Sequence, residues 1–120
     1  MIGMARNPHE QIKAELLNST TSLFSGSTSG LLLSALKSTF PLLSFALIVN
    51  WIPEQVEDIY WVLIDSERIA ILDVPRLSGV DKADVPVEVL TVHTLQKRRL
   101  SVETRRKLEV ALELMLEQRN

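Results

Sequence analysis

The chain has 120 residues, 46% of them hydrophobic and 23% charged, with a formal net charge of −2 and no cysteine. This balance belongs to one folded domain large enough for a core of its own, and it excludes a disordered or low-complexity chain. The lack of cysteine rules out disulfides, thiolate metal sites and cysteine nucleophiles, and it suits a reducing compartment.

The first six residues lack a basic head followed by an apolar core, so no cleavable signal is expected and the location is read as cytoplasmic. Asn7, Pro8 and Glu10 spell a helix start: a side-chain cap, a residue suited to the first helical position and a capping-box acid. Ile12, Leu16 and Leu23 form its apolar stripe. The Ser- and Thr-rich run from Asn18 to Gly30 competes for backbone hydrogen bonds, so the helix is expected to fray or end within it. A second helix spans Leu31 to Thr39 and stops before Pro41. Lys37 is the single charge between Leu16 and Pro53. The uncharged run from Ser38 to Pro53 falls short of the roughly 20 residues a spanning helix needs. A buried helix followed by a buried strand is the expectation, with no membrane partner.

Alternation then marks strands. Leu43, Phe45, Leu47, Val49 and Trp51 share one face of a strand running from Leu43 to Trp51. Residues 53 to 57 read as a connection. Asp58 to Ile64 and Arg68 to Val74 read as a hairpin turning at Asp65, Ser66 and Glu67. Residues 75 to 86, with two prolines and Gly79, read as a loop, and Val87 to Thr94 as a fourth strand. Ser101 caps a last helix running to about Gln118, with Leu108, Ala111, Leu112 and Met115 on one face. Val110 and Leu114 form a second row, facing either the first helices or a second copy. The expected fold is α+β: a two-layer domain over residues 1–120, with helices in 7–39, a three- to four-stranded mostly antiparallel sheet in 43–94, and the helix at 101–118 packed on that sheet.

No catalytic motif emerges. The segment from Gly26 to Gly30 lacks the Gly-Lys-Ser/Thr of a phosphate loop, and it follows a helix where a nucleophile elbow requires a strand. A polar helix–helix connection is its reading. Neither His9 nor His93 has a ligand partner at metal spacing, so no metal or cofactor is expected. His93 beside a turn acid is the one enzyme arrangement left, and it predicts a cleft around His93.

Charge segregation is the strongest signal. Residues 54–88 hold nine acids against three bases, whereas residues 96–107 hold six bases against Glu103 alone. The leading expectation is a small non-catalytic bacterial protein that neutralises or chaperones a basic partner, in concrete form an immunity protein or antitoxin covering a nuclease-type toxin. Its expected contact residues are Glu57, Asp58, Tyr60, Trp61, Asp65, Glu67, Asp81 and Asp84. Tyr60 and Trp61 point to opposite faces of their strand, so one of them, or both, belongs to the core. The alternatives are a nucleic-acid-binding module using Lys97, Arg98, Arg99, Arg105, Arg106 and Lys107, or a secretion chaperone or adaptor dimerising through the C-terminal helix. Internal pairing of the two charge blocks is the bland reading of both.

Overall fold

In the computed structural model of the chain, which describes residues 7–76 and 85–119, the fold begins where Asn7 caps α1 (Pro8–Ser25). The Glu10 N–H donates to Asn7 Oδ1 at 2.8 Å, as the sequence predicts. The hydroxyl-rich half of α1 stays helical because its side chains bond back onto their own helix. Ser19 Oγ donates to the Leu16 carbonyl at 2.6 Å and Ser25 Oγ to the Ser22 carbonyl at 3.1 Å. Ser19 Oγ also accepts the Ile48 N–H at 3.2 Å, tying α1 to the edge of the sheet. The helix ends at Gly26, whose φ of 81° lets its N–H return to the Leu23 carbonyl and that of Ser27 to the Ser22 carbonyl. A short polar connection leads to α2 (Gly30–Thr39), which Ser29 caps by accepting the Leu32 N–H.

Four strands follow: β1 (Leu47–Pro53), β2 (Glu57–Leu63), β3 (Arg68–Pro75) and β4 (Val87–Thr91). They form one sheet in the order β1-β2-β3-β4, antiparallel throughout. β1 starts four residues later than its alternation predicts. Leu47 pairs with Leu63, the last residue of β2, so Leu43 to Ala46 have no strand to pair with. A bulge then changes the phase of β1. Ile48 faces Val62 and Asn50 faces Trp61, leaving Val49 as an extra residue. Leu47 and Val49 keep the predicted buried face, but Trp51 emerges on the opposite one.

The fourth strand is shorter than predicted. Thr91 Oγ1 accepts the Thr94 N–H at 3.0 Å and turns residues 92–96 into the helix α3 (Val92–Gln96). Valine and threonine content alone does not distinguish a strand end from a Thr-capped turn. The last helix, α4 (Val102–Arg119), begins at Ser101, whose Oγ accepts the Thr104 N–H at 3.0 Å.

Both faces of the sheet are apolar. On one, Leu47, Val49, Leu63 and Ile69 are covered by Leu16 of α1, Val92 and Leu95 of α3, and Leu108, Ala111 and Met115 of α4. On the other, Tyr60, Val62, Ala70, Leu72 and Val74 meet Leu23 from the end of α1 and Leu32 and Leu36 of α2. The fold is therefore the expected α+β arrangement, with the C-terminal helix on the sheet. Val110 and Leu114 are buried in the same cluster as Leu16, so the second row of α4 faces the first helix. The His9–Glu113 hydrogen bond (3.1 Å) and the Lys13–Glu117 ion pair (3.5 Å) flank this contact. Among the described residues no helix is long and apolar enough to cross a membrane.

Candidate functional site

The acids expected to form one surface lie at two ends of β2. Glu57 and Asp58 open the strand, whereas Asp65 and Glu67 lie in the turn beyond its far end, roughly 20 Å away at strand rise. Asp81 and Asp84 lie outside the described residues.

Two of these carboxylates are already engaged. Asp65 Oδ1 accepts the N–H groups of Glu67 (2.8 Å) and Arg68 (2.7 Å), and Oδ2 accepts Arg68 Nε at 2.8 Å. Burial works against its charge, but these donors outweigh it and hold its pKa below the ordinary carboxylate value. Asp58 takes a two-pronged contact from Arg76, with Nη2 to Oδ1 at 2.8 Å and Nε to Oδ2 at 3.0 Å. The Arg76 guanidinium, opposed by burial and aided by Trp51, holds the Asp58 carboxyl below its usual range. Tyr60 is buried against the α2 face and Trp61 is half-buried on the other, so both belong to the core. Glu67 is exposed.

Glu57 has the opposite character. Burial first, then the proximity of the Asp73 carboxyl and the charge of Glu54, push its carboxyl above the usual range. Asp73 lies on β3 opposite Ile59, and its Oδ1 is buried with no hydrogen-bond partner among the described residues. On the same sheet face, Trp61 pairs with Ile71 and Ile71 with Glu88. The half-buried Ile52, Ile59 and Ile71 lie here, outside both core clusters. A hollow of about 370 Å³ lies elsewhere, around Phe40 and Leu43; the one at this end measures about 240 Å³ and is lined by Ile59, Ile71, Asp73 and Glu88. This end of the sheet thus combines apolar surface with three carboxyl groups and no paired cation among the described residues.

Asp73 was legible in principle. An Asp within Arg68–Val74 departs from strand preference, and period two sets it beside Ile69 and Ile71. Trp51 was not, because the bulge that re-aims it has no sequence mark. The residue is 57% exposed, and its Nε1 donates to Asp58 Oδ1 at 3.0 Å.

The basic block stays apart from the acids. None of the ion pairs among the described residues joins it to a carboxylate. Arg105 instead binds the main-chain carbonyls of Gln96 and Arg98, both at 3.4 Å. Lys97, Arg98, Arg99 and Arg106 are exposed and Lys107 is half-buried. Internal pairing of the two blocks is therefore not how the described residues use them. His93 is exposed in the first turn of α3, at a shallow hollow that Glu67 also lines. Among the described residues, no group of three or more His, Asp or Glu side chains could hold a metal ion. Comparison with protein-family models, curated proteins and solved structures finds no match to the chain.

Proposed function

We propose that the chain is a non-catalytic binding protein that docks a basic macromolecular partner on the open end of its sheet, over Ile52, Ile59 and Ile71 between Glu57, Asp73 and Glu88. The observation that carries this reading is the Asp73 Oδ1 atom, which is buried with no donor among the described residues. An unmet buried acceptor costs about 1–3 kcal/mol, and more when charged. A lysine or arginine from a partner offsets that cost while apolar side chains beside it cover the isoleucines. Burial and Asp73 push the Glu57 carboxyl above its usual range, and a cation placed beside it favours its charged form. In its most concrete form this is a cytoplasmic bacterial immunity protein or antitoxin covering the phosphate-binding face of a nuclease-type toxin, a surface that supplies the required cations.

Affinity capture with the full chain, followed by binding measurements on the purified partner, tests the reading. The expected result is one stoichiometric partner with a basic contact surface, bound at least about thirtyfold more weakly by D73N/E88Q. Unchanged binding by that variant, or a partner with an acidic contact surface, rejects it.

A further inference from the structure

The outer edge of β1 carries a second surface, where two bases, Arg106 and Lys107, meet two acids, Glu15 and Glu103. Arg106 and Lys107 of α4 line a groove of about 360 Å³ against Gln11 and Glu15 of α1. Lys107 and Glu15 also line the adjoining hollow, of about 150 Å³, whose far wall is Asn50 and Trp51. The two hollows share Glu15 and Lys107, and the second reaches Trp51 at the edge of β1, where its side chain leaves on the face opposite α4. The indole is held in place. Its N–H is fixed by Asp58, and Asp58 is fixed and neutralised by Arg76, which also donates to the Gln55 carbonyl at 3.1 Å. A bond in the plane of the ring orients it, and the residue as a whole is exposed. Upstream, the grip of Arg105 on the carbonyls of Gln96 and Arg98 shapes the turn that carries Arg98 and Arg99.

We propose that this strip binds single-stranded nucleic acid, with phosphates on the basic turn and Arg106 and Lys107, and a base stacked on Trp51. Cations tracking a backbone and an aromatic face accepting a base are the two parts such sites require. A single fixed ring favours recognition without sequence preference. Glu15, which lines both hollows, opposes the phosphates. The strip is independent of the acidic end of the sheet.

The test is titration of the full chain with a labelled 15-nucleotide oligo(dT), read by anisotropy and by quenching of tryptophan fluorescence, between 50 and 300 mM salt. The expected logarithmic salt slope is about −3, from roughly four phosphates. R98Q/R99Q/R106Q, altering exposed residues only, should weaken binding at least about tenfold and bring the slope near −1. W51A should lose about tenfold and the quench while keeping the slope, and E15Q should bind more tightly. Circular-dichroism melts confirm that each variant folds. No binding at 50 mM salt, binding that both cation and Trp51 variants retain, or capture of phosphatidylserine vesicles in place of the oligonucleotide would overturn the proposal.

Discussion

Asp58 and Glu57 are adjacent, yet their environments move them in opposite directions, and this gives the chain a characteristic dependence on pH. Asp58 has a depressed pKa in the folded state, chiefly through Arg76. Its stabilisation is full above the unfolded carboxylate value and is lost as pH falls through the folded one. D58N should therefore be less stable than the parent chain at pH 7, with the gap closing towards pH 2–3 in denaturant titrations. Glu57 has a raised pKa, from burial and then Asp73. Its folded form holds the proton longer, so the linked term favours folding as pH falls through the folded value and opposes it at neutrality. E57Q should thus be at least as stable as the parent at pH 7. A clear loss of melting temperature in E57Q at pH 7 would count against this assignment. Gly26 sits at φ 81° with open space about its Cα, so G26A carries backbone strain alone. It should cost about 1 kcal/mol by chemical denaturation, with no change in ligand binding.

At the scale of elements, the two-sided sheet makes a specific claim about the core. Leu63 and Leu36 are fully buried on opposite faces, in separate clusters. L63A and L36A should each cost about 2–5 kcal/mol, and the double variant should lose close to the sum, because the sheet lies between the sites. Strong positive coupling in that cycle would mean that the two cores repack together. The starts of α1 and α4 were legible because Asn7 and Ser101 cap by chemistry that acts within three residues; Ser29 caps α2 in the same way but was not read from the sequence. The hairpin of β2 and β3 was legible for the same local reason, through the turn bonds of Asp65. The start of β1 was not, since where Leu47 finds its partner depends on the end of β2. The bulge at Val49 likewise arises from pairing across strands, and it carries Trp51 to the unexpected face.

For the whole molecule, the charge blocks seen along the chain survive folding, but their division of labour differs from what sequence order suggests. Asp58 and Asp65 are spent on Arg76 and Arg68, and Tyr60 and Trp61 on the core. Carboxyl groups without an ion-pair partner among the described residues gather instead where β2, β3 and β4 bring Glu57, Asp73 and Glu88 to one face, a juxtaposition of residues 31 positions apart in the chain. Only the sheet register makes that set visible. The central claim is that this end of the sheet receives a cation flanked by apolar groups. Its most direct test is an amide NMR titration of the full chain with a short peptide of alternating lysine and leucine. The account predicts shift changes concentrated at Ile52, Ile59, Ile71, Asp73 and Glu88, stronger at pH 7 than at pH 4 and lost in D73N/E88Q. Changes centred on Asp65 and Glu67, or a titration indifferent to D73N/E88Q, would contradict it.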